Sequence, residues 1–218
     1  INNYLGFGAV SVWLLFLSMI SLLLLIEGAF QSVVARNFVY IYSGVNKLNS
    51  TGILNLELRM GELNKSLFIS YFSTVQRIYQ IASVVLGLLW FVVGLPLIDS
   101  FHPNIDSIEL AVAWFLFVLS QVIWISFGYG AANVIALNRQ DVVNKATLVS
   151  KILALPLIWG FMKVFPSLIA IGISLSLSNI CARFIILKVN KEILHDYKIN
   201  YSIYIIQQSS PIIELEAD

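Results

Sequence analysis

Charge is scarce in this chain. Asp, Glu, Lys and Arg together make up 11% of the residues, against about 25% in an ordinary soluble domain. A soluble fold of this length would have too little polar side-chain material to cover itself. Cysteine is nearly absent. The single Cys181 excludes an internal disulfide framework and any Cys-rich metal site. The two histidines, His102 and His195, fall on opposite sides of the membrane in the topology derived below, so they form no cluster. There is no Gly-rich phosphate loop of the Walker type and no G-x-S-x-G. The carboxylates are scattered, with no acid/base pair. An ATPase or a metalloenzyme would need parts that are missing here, so the chain is expected not to be an enzyme and to take no cofactor. A net charge of +1 sets up no field that would draw nucleic acid.

What the chain has in quantity is apolar length. Hydrophobic residues reach 59%, gathered in runs. Ala9 to Val34 contains one ionisable side chain, Glu27. A bilayer span needs roughly 20 apolar residues, and four more such runs follow. The expected spans are Ala9–Val34, Ile78–Pro96, Ile108–Leu137, Ala146–Val164 and Ser167–Leu187. Backbone groups in lipid must bond internally, and these runs are too long for barrel strands, so each is a helix. The fold class is therefore all-α, a polytopic membrane helix bundle of about five transmembrane helices.

The connections differ in charge. Ser43 to Gln76 holds Lys47, Arg59 and Lys65, bordered by Arg36 and Arg77. Asn138 to Lys145 holds Arg139 and Lys145. The tail after Arg183 holds Lys188, Lys191 and Lys198. By contrast, Leu97 to Ser107 carries only Asp99, His102 and Asp106. Of the 13 basic residues, all but Lys163 fall on one side, which the positive-inside rule makes cytoplasmic. The N-terminus is then outside and the C-terminus inside. With no signal peptide in view, an outside N-terminus leads to the expectation of at least one more span before Ile1. Three sequons, at Asn49, Asn64 and Asn200, lie on the inner side, where they would go unused.

Residues 1–189 are expected to form the bundle, with 43–76 as an inner loop. Within that loop Lys47–Tyr71 is mildly amphipathic and suited to the inner interface. Residues 190–218 start basic and end acidic, as a cytoplasmic linker or tail. Tyr40, Tyr42, Tyr71, Tyr79, Trp90, Trp114 and Trp124 are expected partly as an interfacial aromatic belt.

Charges inside a span are costly and mark function by default. Glu27, beside Gly28, is the candidate for ion coupling or for pairing with a base; solvation near the inner interface is the plain alternative. Arg36 would sit on the opposite face of a straight helix from Glu27, so the two pair only if Gly28 kinks it. A guanidinium forks onto phosphate oxygens, which makes Arg36 a substrate-binding candidate; a positive-inside anchor is the alternative. Asn133 and Lys151 are further substrate-binding candidates, Asn133 against an alternative as helix-to-helix glue. Gly128-Tyr129-Gly130 suggests close packing or a kink, and Pro156 with Gly160 a bend. Lys163 and Arg183, each near a span end, are expected to snorkel. Asn179 with Ser174, Ser176 and Ser178 makes part of the fifth span polar.

Leu5-Gly6-Phe7-Gly8, the apolar run, Glu27-Gly28-Ala29-Phe30, Ala35-Arg36-Asn37 and Tyr42-Ser43-Gly44 together resemble the second helix and following loop of Wzx-type polysaccharide and O-antigen flippases. These belong to the multidrug/oligosaccharidyl-lipid/polysaccharide exporter superfamily. Asn133 to Arg139, closing a long helix before a short basic loop, is similar to their fourth helix. The resemblance implies part of the N-terminal lobe of a MATE-like transporter in a bacterial cell inner membrane. It implies flipping of an undecaprenyl-pyrophosphate-linked oligosaccharide, the O-antigen repeat unit, with Glu27 as cavity acid and Arg36 as phosphate-facing base. Partners would be the lipid-linked oligosaccharide, membrane lipid and other polysaccharide assembly proteins. Two alternatives stand beside it. One is a permease subunit served by a separate ATPase, with a coupling helix in Lys47–Tyr71. The other is a membrane-embedded polymerase or glycosyltransferase, against which the short outer loops count.

Overall fold

The computed structural model describes residues 7–45, 48, 63–96, 98 and 106–199. Within them every regular element is helical. The helices are α1 (Phe7–Tyr42), α2 (Lys65–Leu89), α3 (Ser107–Ser126), α4 (Gly128–Ala136), α5 (Gln140–Val164) and α6 (Leu168–Asp196). A π-helical turn, Trp90–Gly94, extends α2. With α2 joined to that turn and α3 to α4, five helices among the described residues are long and apolar enough to cross a membrane. The chain is thus a multi-pass membrane protein by the length and composition of its helices.

The five expected spans are all present, with different ends. α1 runs unbroken through Gly28 to Tyr42, so the anticipated kink at Gly28 is not there. α2 starts at Lys65, capped by Asn64, whose side-chain oxygen accepts from the Leu67 amide at 3.1 Å. This satisfies one of the free donors of a first turn. Lys65–Tyr71, expected along the inner interface, is instead the opening of that helix, and residues 47 and 49–62 of the same stretch lie outside the described residues. α6 continues past Leu187 to Asp196, because Asn190, Ile193 and Leu194 are buried against the bundle. The first residues of the expected tail are therefore packed helix, while residues 200–218 lie outside the described part. α5 continues through Pro156.

The ends of α4 and α6 are closed by residues in the left-handed region, Asn138 (φ 59°) and Lys198 (φ 52°). The Asn138 amide donates to Ile135 O and the Arg139 amide to Val134 O, which satisfies carbonyls that the last turn leaves free. The turn then leads directly into α5.

α1 and α2 run antiparallel: Phe38 and Tyr42, near the end of α1, pack on Phe68 at the start of α2. α3 and α5 both lie along α6, and α4 packs against α1. The end where α1 begins is called the top here. An upper apolar layer contains Val12, Phe16, Trp114, Phe117 and Leu168. A lower one contains Phe38, Phe68, Phe72, Tyr129 and Leu194. Between them lies a band of polar side chains.

The upper layer explains the π-helical turn. Trp114 is fully buried, and its indole N–H donates to the carbonyl of Trp90 at 3.2 Å. A Cβ at Gly94 would collide with the Trp114 ring. Trp114, Trp124 and Tyr79, expected in part at the interface, are core residues. Aromatic area is what fills these layers, since helix association in lipid depends on packing rather than on hydrophobic exclusion.

Candidate functional site

The polar band is built by Glu27 of α1, Tyr79 of α2, Gln121 and Trp124 of α3, and Asn179 and Arg183 of α6. At 1.5 Å rise per residue Glu27, Tyr79, Trp124 and Arg183 lie about 22 to 30 Å below the top ends of their helices, so four spans present them at similar depth, with Gln121 and Asn179 somewhat higher. Glu27 and Arg183 meet at its centre. Arg183 Nη2 donates to Glu27 Oε1 at 2.5 Å, and the two side chains are 3% and 8% exposed. Trp124 Nε1 donates to the other oxygen, Oε2. The Arg183 guanidinium also lies 3.8 Å over the Trp124 ring, a cation–π contact that gains strength when water is excluded. One carboxylate thus ties α1 to α3 and α6, and the pair is neutral as a unit. Burying either charge alone would cost far more than burying both together.

The helix break between α3 and α4 makes room for this. The third span was expected to kink or pack closely at Gly128-Tyr129-Gly130, and the helix does break there, at Phe127. A Cβ on Gly128 would stand 2.5 Å from Tyr79 Cε1 and 3.2 Å from Glu27 Oε1. The missing side chain is what lets the Tyr79 ring and the Glu27 carboxylate reach the same point.

Around the pair, donors outnumber acceptors. Tyr79 Oη, Arg183 Nε and Gln121 Nε2 are buried without a hydrogen-bond partner among the described residues. Gln121 and Ser83 also line a cavity of about 10 Å³, roughly the room of one water molecule. Higher in α6, Asn179 Nδ2 donates to Ser120 Oγ at 2.7 Å. Ser176 Oγ donates to Leu116 O at 3.1 Å. These bonds join α6 to α3.

The four residues singled out from the sequence do not assemble. Glu27 pairs with Arg183, not with Arg36. Arg36 is exposed, as a straight helix requires of a residue half a turn away from Glu27's face. Lys151 is also exposed, on a face of α5 it shares with Leu148, Ile152 and Leu155. Asn133 is fully buried. Its Nδ2 donates to Asn190 Oδ1 at 2.7 Å, and its Oδ1 accepts from Tyr42 Oη at 2.9 Å. It joins α4 to α1 and α6 through these two bonds, the contact of the helix-to-helix glue alternative.

Arg183 is the residue that the sequence reading missed. It was expected to snorkel from the span end, but α6 extends almost four turns past it and its side chain points inward. A signal was present. Ser176, Asn179, Arg183 and Asn190 recur at spacings of three, four and seven, which puts them on one helix face. A polar stripe on a buried helix implies that its one charge faces the bundle too.

No protein-family profile matches the chain, and no curated protein or solved structure matches it either.

Proposed function

We propose that the chain is part of a flippase that carries a lipid-linked oligosaccharide, joined through a pyrophosphate, across a bacterial inner membrane. The observation that carries this is the Glu27–Arg183 pair. An acid from the first span and a base from the last meet inside the bundle, away from both ends of their helices. Ionisable groups so placed mark the paths of ions and charged substrates. Such a pair also gives a transporter a two-state element. It is worth most when dry and closed, and least when water or a competing ion reaches it. Glu27 would serve in coupling through this contact, by gaining or losing its hold on Arg183 as the bundle rocks. Arg36, exposed less than two turns from the lower end of α1, would meet lipid phosphate or the pyrophosphate at the cytoplasmic side, and Lys151, exposed midway along α5, would meet the substrate during its passage. The cytoplasmic face would be the lower end, where the basic connections gather.

The test is made in the cell that encodes the chain. Glu27→Gln and Arg183→Gln are each expected to abolish surface polysaccharide even when it is compared per amount of protein in the membrane, which the unpaired charge left by Arg183→Gln should lower. The lipid-linked precursor should accumulate on the cytoplasmic leaflet. Full surface polysaccharide in both variants would overturn the proposal.

A further inference from the structure

Arg183 is only half used. Of its fork of donors, Nη2 holds Glu27 Oε1, while Nε is buried and has no partner. The Tyr79 hydroxyl is likewise buried and idle. The edge of the Tyr79 ring stands beside the same Gly128 position that Glu27 Oε1 approaches. Trp124 contributes a third donor, its indole N–H, now on Glu27 Oε2. Arg183 Nε and Nη2, the Tyr79 hydroxyl and the Trp124 indole N–H thus make four donor groups, and among the described residues the acceptors they bond are the two oxygens of one carboxylate. Two of the four go without. Leaving a buried donor unpaired costs about 1–3 kcal/mol, so a site built only for structure would be expected to avoid it twice over.

A group with more acceptor oxygens than a carboxylate suits this set better. A phosphoryl group presents three, and the Nε and Nη edge of a guanidinium is the edge that grips phosphate through two parallel bonds. We infer that Arg183, Tyr79 and Trp124 form a receptor for an anionic phosphoryl group, and that Glu27 occupies it from within. In the closed bundle the carboxylate stands in for the ligand. It keeps Arg183 neutralised in a dry interior, where a lone guanidinium would be strongly unfavourable. In the open bundle a phosphoryl group replaces the carboxylate and uses the two idle donors as well. The choice of a lipid-borne pyrophosphate as natural ligand rests on the flippase proposal; the receptor itself does not.

The experiment titrates the full chain, purified in detergent, with inorganic pyrophosphate and follows tryptophan fluorescence. Trp124→Phe identifies the part of the signal that belongs to the site. The unchanged chain is expected to bind weakly, because Glu27 competes. Glu27→Gln, which keeps shape and removes the competing charge, is expected to bind at least 10-fold more tightly. Adding Arg183→Gln to it should abolish binding, and adding Tyr79→Phe should weaken it several-fold. Equal affinity in the unchanged chain and Glu27→Gln would overturn the inference, as would binding that survives Arg183→Gln. Should Glu27→Gln lose helical structure, Tyr79→Phe in the otherwise unchanged chain decides. Weakened pyrophosphate binding supports the receptor, and unaltered or undetectable binding in both overturns it.

A short-chain prenyl pyrophosphate in the same micelles separates the two sources. Binding at least 10-fold tighter than the inorganic ion assigns the site to a lipid-borne group, and equal affinity assigns it to the free anion. Pyrophosphate binding together with normal surface polysaccharide in Arg183→Gln cells would keep the receptor and sink the flippase. Lost polysaccharide with no binding in vitro would do the reverse.

Discussion

Arg183 reaches Glu27 across 156 positions of sequence, and through that contact the last span is fastened to the first. Both side chains are almost wholly removed from the surface. The contact is therefore strong only as long as both charges remain. Removing one leaves the other buried and unpaired, at a cost of about 3–5 kcal/mol, whereas replacing both by apolar groups is often neutral or better. Glu27→Leu and Arg183→Leu should each lower the thermal midpoint of helix loss in detergent by many degrees. The double variant should recover most of the loss. A double variant no more stable than either single one would show that the two side chains do not act on each other.

Gly128 sits where the Tyr79 ring and the Glu27 carboxylate converge. Gly128→Ala must push the Tyr79 ring aside or break the ion pair. Overpacking of this kind costs about 1–3 kcal/mol. Pairing it with Tyr79→Ala, which clears the obstruction, should restore part of the stability lost by Gly128→Ala. Thermal unfolding of the four chains gives the coupling directly, and strict additivity would contradict the contact.

Asn133 holds Tyr42 and Asn190 by opposite ends of one amide. Asn133→Leu removes the partner of the buried Asn190 side chain, which should cost about 1–3 kcal/mol, and one bond of the half-buried Tyr42 hydroxyl. The loss should show first as reduced protein level in the membrane. Surface polysaccharide should fall only in proportion to that level. A variant present at full level yet inactive would return Asn133 to the substrate.

Arg36 is exposed, so Arg36→Ala should leave the melting temperature within a degree or two of the parent; surface substitutions away from special contacts stay within about 0.5 kcal/mol. If Arg36 meets phosphate at the cytoplasmic face, the same change should remove surface polysaccharide. Unchanged polysaccharide would leave it as a positive-inside anchor.

Cysteine substitution tests the orientation. With Cys181 replaced by Ser, a cysteine at Lys145 should resist a membrane-impermeant thiol reagent added to intact cells. One at Ser107 should react. The opposite pattern would invert the topology and move the basic connections outside.

The number of spans and the helical class were legible in the sequence, because lipid leaves a long apolar run only one way to satisfy its backbone. The break after α3 was legible too, since Gly128 and Gly130 follow it directly. Less legible were the ends of α1, α2 and α6. Each outlasts its apolar run, carried on by buried aromatic and aliphatic residues such as Phe38, Phe68 and Leu194 that meet only after the helices pack.

Glu27 announced itself without any structure, being the one charge in a long apolar stretch. Its partner did not. A span can turn a charge toward lipid, toward an end or toward a neighbour, and sequence spacing along one helix constrains only the last of these. Which helix stands opposite is set by packing among all five. That is why local sequence determined the membrane-spanning helices and the isolated acid, while tertiary structure alone decided that Arg183, not Arg36, answers it.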